Sequence, residues 1–115
     1  MFAQLPAECA IAAITWSELY AGVLRAVTSR QRIASQEFLS EAERWLPVIP
    51  FGRLEAEERA RLYEHLRAGG RIIGERDLQI AATAVAGGHS VATRNSGEFS
   101  RVPGLVVISL PEPSA

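Results

Sequence analysis

Residues Arg71 to Phe99 decide how the chain folds; they read RIIGERDLQIAATAVAGGH (71–89) and then SVATRNSGEF (90–99). Apolar residues in the first part recur at the spacing of one helix face, at Ile80, Ala81, Ala84 and Val85. Gly87 and Gly88 end this pattern, and the residues after them predict a short strand at Val91 to Thr93. The stretch is therefore predicted to be a helix that leads into a strand.

Asp77 stands out within this stretch because it is the only aspartate in the chain. It precedes Ile80 by three residues and Ala81 by four, and residues at these spacings share one face of a helix. The spacing therefore puts a carboxylate on the apolar face at the helix start. A capping or first-turn acid is the alternative interpretation, since both are common at helix N-termini. The place of Asp77 on the apolar face favours a functional carboxylate.

Outward from this stretch, strands and helices alternate along the chain. We expect a buried strand at Cys9–Thr15, followed at once by a helix that breaks at Thr28-Ser29. A second helix is expected at about Ile33–Leu46, an edge strand at Val48–Phe51 and a third helix at Leu54–Arg67. A turn at Phe99–Pro103 is expected to lead into a last strand at Leu105–Ile108. Residues from Pro111 onward are expected to form a tail. Strands separated by helices indicate an α/β fold with a mostly parallel sheet.

The first helix carries a second acidic residue of interest, Glu18. Thr15 and Glu18 match the Thr-x-x-Glu pattern of a capping box, so a purely structural role for Glu18 is an open alternative. The apolar face of this helix is expected to consist of Leu19, Val23 and Val27. Three aromatic side chains are expected in the core or in an interface, namely Trp16, Phe38 and Trp45.

The composition narrows the class of protein. With 115 residues, of which 48% are hydrophobic and 22% charged, the chain is expected to be one globular domain, residues 1–115. The net charge of −1 gives no general attraction to nucleic acids or membranes. The single Cys9 cannot form an internal disulfide, and no apolar run is long enough to span a bilayer. We therefore expect a cytoplasmic protein without a membrane segment.

Four polar residues are predicted to meet at one edge of the sheet. In open α/β folds the ligand crevice lies beyond the carboxyl ends of the strands. Glu18 follows the first strand, Asn95 and Glu98 follow the strand at Val91 to Thr93, and Asp77 begins the helix that leads back into that strand. The alternative to a functional role is that Asn95 and Glu98 are ordinary turn residues.

Carboxylates brought together in this way repel each other, so they need protons or a cation. Mg²⁺ is bound by one or two carboxylates, keeps several waters and completes its shell with phosphate oxygens. Such a site can activate a water and neutralise charge on a phosphodiester, which favours nucleic-acid hydrolysis. Arg94 beside the site and Arg25 two turns after Glu18 are expected to hold substrate phosphates.

Other kinds of site fit the sequence poorly. His89 has no cysteine or second histidine near it, which disfavours a zinc site. No serine lies in a Gly-x-Ser-x-Gly pattern, which disfavours a serine hydrolase. A phosphoacceptor signalling domain would require a lysine on a late strand, and the chain contains no lysine.

Two separate blocks resemble PIN-domain ribonuclease toxins of the VapC type. The first is Ala13–Val23, and the second comprises Asp77–Ala84 and Ala92–Phe99 and closes on Val102–Leu105. The resemblance implies a three-layer α/β/α fold and a Mg²⁺- or Mn²⁺-dependent endoribonuclease. It also implies a homodimer that a VapB-type antitoxin holds inactive. Glu18 and Asp77 match the metal-site acids of the family, and Asn95 and Glu98 match the more variable end of that site.

The sequence departs from the family at its start. The family opens with a strand that carries its first acidic residue, whereas Met1 to Ala7 is short and contains no aspartate. Three explanations of this departure are open. The start is misassigned or the gene is truncated, or the sheet closes up or borrows a strand from another chain. In the third explanation the chain is a non-catalytic remnant. We favour a truncated form with impaired activity. The alternative function is a non-catalytic module that binds an antitoxin or dimerises.

Overall fold

The computed structural model describes residues 9–93 and 96–109, apart from the Ser109 side chain. Its elements are β1 (Ile11–Ala12), α1 (Ala13–Arg25), α2 (Ser29–Trp45), β2 (Val48–Ile49), α3 (Arg53–Ala68), α4 (Glu75–Gly87), β3 (Val91–Thr93), a 3₁₀ turn (Phe99–Arg101) and β4 (Val107–Ser109). The chain divides into two compact units, Met1–Pro50 and Phe51–Ala115. No helix in the described part combines the length and the apolar character needed to cross a bilayer.

The first unit pairs β1 with β2 in parallel, with Ile11 opposite Val48 and Ala12 opposite Ile49. Proline at positions 47 and 50 bounds β2, and a proline has no N–H to donate, so the ladder stays two residues long. The core of this unit is small. It contains the buried Ala42 of α2 and Leu46, the C-cap residue of that helix, and Cys9, Ile11, Trp16 and Leu19 pack against them partly buried.

The start of α1 differs from the sequence prediction. The predicted strand at Cys9–Thr15 is reduced to two residues, and the helix begins at Ala13 after an N-cap at Ala12 that makes no side-chain bond. Thr15 is therefore inside the first turn, so the predicted capping box of Thr15 and Glu18 is wrong. A capping box does form at α2, where Gln31 N–H donates to Thr28 Oγ1 at 3.1 Å and Thr28 N–H donates to Gln31 Oε1 at 3.2 Å.

The apolar face predicted for the first helix is also partly wrong. Since α1 ends at Arg25, Val27 lies beyond the helix with 85% of its surface exposed. None of the thirteen residues of α1, all of which the structure describes, is fully buried. Trp16 is half-buried, as expected of a core residue, but Phe38 and Trp45 of α2 are exposed.

The second unit packs α3 against α4 over a larger core. Its buried members are Leu62, Leu66, Ile73, Leu78, Ala81, Ala82, Ala84, Val91, Phe99 and Val102. The predicted glycine pairs end both helices: α3 stops just before Gly69 and Gly70, and α4 stops at Gly87 with Gly88 as its C-cap. Gly70 and Gly88 have φ of 68° and 71°, the left-handed conformation that glycine adopts without steric cost.

Strand β3 pairs with β4 in parallel, with Val91 opposite Val107. The strand predicted at Leu105–Ile108 begins two residues later, because the preceding turn continues through Gly104 and Leu105 N–H still donates to Val102 C=O. The predicted α/β class with parallel strands is confirmed. One sheet across the whole chain and a single domain over residues 1–115 stay predictions. Met1 to Ala7 and the tail from Pro111 lie outside the described residues.

Candidate functional site

Asp77 lies in the first turn of α4, and its side chain is 16% exposed. The next residue, Leu78, is 1% exposed, and Ala81, one turn on, is completely buried. The core packing of these neighbours fixes the direction of the first turn, and with it the position of the carboxylate. Asp77 therefore lies at the margin of the buried face, as the sequence spacing predicted.

Glu98 reaches the same helix end from a distant part of the chain. It directly precedes the 3₁₀ turn, where Phe99 and Val102 are both buried in the core and so anchor the segment. Its carboxylate accepts a hydrogen bond from the backbone N–H of Gly74, the N-cap residue of α4. A Cβ at Gly74 would lie 3.8 Å from Glu98 Oε2, so the carboxyl group lies directly over the start of the helix.

The carboxyl groups of Asp77 and Glu98 form a pair. A hydrogen bond with Asp77 raises the pKa of Glu98 above its ordinary value, and desolvation and the Asp77 charge act in the same direction. The Gly74 N–H and the charge of Arg101 oppose this rise. Two carboxylates held next to each other repel, and a cation bound between them offsets that repulsion.

Two arginines lie near the pair. Arg76 Nη1 is 2.7 Å from Asp77 Oδ1, in an ion pair in which the arginine side chain is 52% exposed. Arg101 follows Glu98 by three residues, and its Nη1 donates to the Ile72 carbonyl at 3.1 Å. The positive end of the α4 dipole adds to these charges. The pair is therefore the anionic centre of a locally cationic surface.

The Asp77–Glu98 pair offers a donor set that fits Mg²⁺ or Mn²⁺. Both side chains supply hard oxygen ligands, and Mg²⁺ sites commonly use only one or two carboxylates. Within each unit, the described residues include no group of three or more His, Cys, Asp or Glu side chains that could hold a metal ion. The pair thus suits a cation that keeps much of its shell for water and substrate oxygens.

Glu18 and Arg25 belong to the first unit and lie seven residues apart on the exposed surface of α1. Glu18 borders a shallow hollow of about 310 Å³ between α1 and α2, which is also lined by Leu19, Gly22, Ala34, Ser35 and Phe38. The predicted meeting of Glu18 with Asp77 and Glu98 joins the two units and stays a prediction. Arg94 and Asn95 lie outside the described residues, so their predicted roles also stay predictions.

Sequence reasoning missed two residues of the pair's surroundings. Gly74 provides both the N-cap of α4 and the N–H that binds Glu98. Arg76 precedes Asp77 directly and forms an ion pair with it. Both lie in the stretch Gly-Glu-Arg-Asp at 74–77. A glycine just before a helix start leaves backbone N–H groups open to an anion, which is the signal for Gly74. The signal for Arg76 is its place directly beside the only aspartate of the chain.

A family profile and curated relatives of the chain indicate the same family. A profile of the PIN domain matches residues 2–105. Ribonuclease VapC1 of Rickettsia felis is 34% identical over 100 residues, which are 87% of this chain and 75% of the relative. The VapC ribonuclease Y4jK of Sinorhizobium fredii is 36% identical and covers 97% of this chain and 81% of its own length.

A solved structure agrees with these relatives. The crystal structure of VapBC-5, a member of the VapBC family of toxin-antitoxin systems from Mycobacterium tuberculosis, superposes with a TM-score of 0.80 at 30% identity. The alignment covers 94% of this chain and 86% of the other. The profile match extends across both compact units. The chain belongs to the PIN-domain family, as a member of the VapC type.

Proposed function

We propose that the chain is a metal-dependent endoribonuclease, the toxin of a toxin–antitoxin pair. The observation that carries this proposal is the Asp77–Glu98 carboxyl pair at the start of α4, in a chain of the VapC type. The reaction is hydrolysis of an RNA phosphodiester bond. Mg²⁺ or Mn²⁺, when bound, supplies charge neutralisation at the phosphate and lowers the pKa of a water.

The side chains of this site have distinct proposed roles. Asp77 binds the cation through its carboxylate, and Glu98, held by the Gly74 N–H, completes the carboxyl pair. Glu18 supplies a further metal-site carboxylate from α1, and Asn95 an amide oxygen. Arg25 and Arg94 hold backbone phosphates of RNA, since the planar guanidinium matches phosphate oxygens in a bidentate geometry.

The proposed partners are an RNA substrate, a VapB-type antitoxin and a second copy of the chain in a homodimer. The solved relative VapBC-5 is described as a member of a toxin-antitoxin family, which supports the antitoxin. The first unit exposes apolar side chains that a protein partner can cover, including Tyr20, Leu24 and Ile33. We place the protein in the reducing cytoplasm, which suits its free Cys9.

Cleavage of structured RNA tests the proposal directly. The purified chain is incubated with labelled RNA and Mg²⁺, with and without EDTA, beside Asp77→Asn. Cleavage should require the metal and fall by about 100-fold in the variant, because one charged ligand is replaced by a neutral one. Glu64→Gln is the matched control, since Glu64 is an exposed acid of α3 that pairs with Arg67. Metal-independent cleavage, or a fully active Asp77→Asn variant, overturns the site.

The alternative function is a non-catalytic module. The observation that favours it is the set of exposed apolar side chains in the first unit, among them Leu24 and Ile33, which an antitoxin or a second copy can cover without any cleavage. Absence of cleavage at any Mg²⁺ or Mn²⁺ concentration, together with binding of a VapB-type antitoxin, would assign the chain to the alternative.

A further inference from the structure

We propose that Arg76 is a counter-cation of the site. Its guanidinium forms an ion pair with the Asp77 carboxylate when no divalent cation is bound there, and it binds an RNA phosphate once a divalent cation has displaced it. The inference rests on the proposed function and deepens it, because it assigns a role to a residue outside the proposed metal ligands. The observation that carries it is the 2.7 Å contact between Arg76 Nη1 and Asp77 Oδ1.

Helix geometry alone does not produce this contact. Residues next to each other in a helix point about 100° apart, so their side chains do not face one another. The Arg76 side chain must therefore turn along the helix surface to reach the carboxylate. Arg76 also lies in the first turn of α4, where the dipole disfavours a cation. Attraction to the Asp77 carboxylate is what holds a positive charge at this position.

The ion pair uses an oxygen that a divalent cation would need. Asp77 is 16% exposed, and its Oδ1 accepts from Arg76 while its carboxyl group also pairs with Glu98. A guanidinium and a divalent cation both bind carboxylate oxygens and repel each other. Since half of the Arg76 side chain is exposed, its ion pair is weak and a divalent cation at millimolar concentration can replace it.

The displaced guanidinium remains close to the helix N-terminus. Backbone N–H groups and the dipole attract anions there, so a substrate phosphate and the side chain of Arg76 share the same surface. Guanidinium binds phosphate by two parallel hydrogen bonds, which a lysine cannot reproduce. Arg76 would thus compete with the cation for Asp77 and assist it in holding RNA. A purely structural ion pair would have only the first effect.

The first experiment measures Mn²⁺ binding without RNA, by electron paramagnetic resonance of the free ion. Arg76→Gln is expected to bind Mn²⁺ about two- to fivefold more tightly than the parent, the range for losing a surface ion pair. Arg101→Gln is the matched control, because it removes the same charge near Glu98 but its hydrogen bond goes to the Ile72 carbonyl. Arg76→Lys keeps the charge and should bind Mn²⁺ as the parent does.

The second experiment measures the kinetics of RNA cleavage at saturating Mn²⁺. Arg76→Gln should raise the RNA KM several-fold with a smaller change in kcat, and Arg76→Lys should restore it only in part. The inference is overturned if Arg76→Gln and Arg101→Gln change Mn²⁺ affinity equally, or if Arg76→Gln leaves the RNA KM unchanged. Absence of Mn²⁺ binding by the parent and all variants overturns the proposed function itself. The two failures are therefore distinguishable.

Discussion

The two compact units differ in how firmly their packing fixes the proposed site residues. In the second unit, Asp77 directly precedes Leu78 and Glu98 directly precedes Phe99, and both apolar neighbours are buried. In the first unit, Glu18 lies on α1, a described helix without a fully buried residue. A carboxylate is held in place most firmly when the residue beside it is part of the core.

Removal of buried side-chain volume from the second unit should have the largest effect. Leu78→Ala deletes most of a side chain that is 1% exposed, so the free energy of unfolding should fall by about 2–5 kcal/mol. Leu24→Ala in α1 deletes the same atoms from a side chain that is mostly exposed and should change it by at most about 0.5 kcal/mol. Urea denaturation measures both. Equal losses in the two variants would contradict the difference between the units.

The proposed role of Glu18 gives the reverse pattern, a large effect on activity with little effect on stability. Glu18→Gln should lower the rate of metal-dependent RNA cleavage by about 100-fold, because a metal-site carboxylate becomes neutral. Its unfolding midpoint should stay near that of the parent, since Glu18 is exposed on α1. Glu43→Gln, an exposed acid of α2, is the control. A Glu18→Gln variant with parental activity would remove the first unit from the site.

The capping box of α2 is expected to contribute a smaller amount. Thr28→Ala removes the hydroxyl that accepts from Gln31 N–H, so the free energy of unfolding should fall by about 1 kcal/mol. Thr15→Ala serves as the comparison, since Thr15 is inside the first turn of α1 and caps nothing. Thermal or urea unfolding distinguishes them. If Thr15→Ala proved the more damaging change, the start of α1 would have to be moved back to Thr15.

The second unit was predicted well because its boundaries are set by local chemistry. The glycine pairs at 69–70 and 87–88 end α3 and α4 through residues in the left-handed conformation. The helical spacing of Asp77 with Ile80 and Ala81 also predicted that its carboxylate lies next to the core. The pairing with Glu98 followed from the order of the elements. The contribution of Gly74 was missed, because its only signal is a glycine placed directly before a helix start, and the side-chain pattern does not say which anion its N–H binds.

The first unit was predicted less well for a physical reason. The apolar run at Cys9–Thr15 looks like a buried strand, yet it contains three alanines, the residue with the highest helix propensity. Its strand partner Val48–Ile49 is bounded by Pro47 and Pro50, so only two residues can pair and the rest joins the helix. The periodicity of residues 9–15 does not show how long the partner strand is. Nor does it show that prolines on both sides of that partner limit the number of backbone hydrogen bonds between the two strands.

The carboxylates of Glu98 and Glu75 both lie at the start of α4, and their contributions to stability should change with pH in opposite directions. This effect should be the smallest of those predicted. Hydrogen bonding to Asp77 raises the pKa of Glu98 above the ordinary 4.5, so the folded state binds its proton more tightly than the unfolded state. Its contribution to stability is present below pH 4.5 and is lost as pH rises through the raised pKa. Glu98→Gln should abolish that loss, because glutamine keeps a hydrogen-bond donor and does not ionise.

Glu75 should behave in the opposite way. Its hydrogen bond from Arg59 lowers its pKa, so the stabilisation is present above pH 4.5 and is lost as pH falls through the lowered value. Unfolding midpoints from pH 3 to 7 in EDTA, for the parent, Glu98→Gln and Glu75→Gln, separate the two contributions. Both effects are small, since solvent screens these partly exposed groups. If removing Glu98 and removing Glu75 changed the pH dependence with the same sign, the raised pKa of Glu98 beside Asp77 would be contradicted, and with it the carboxyl pair that is proposed to bind the cation.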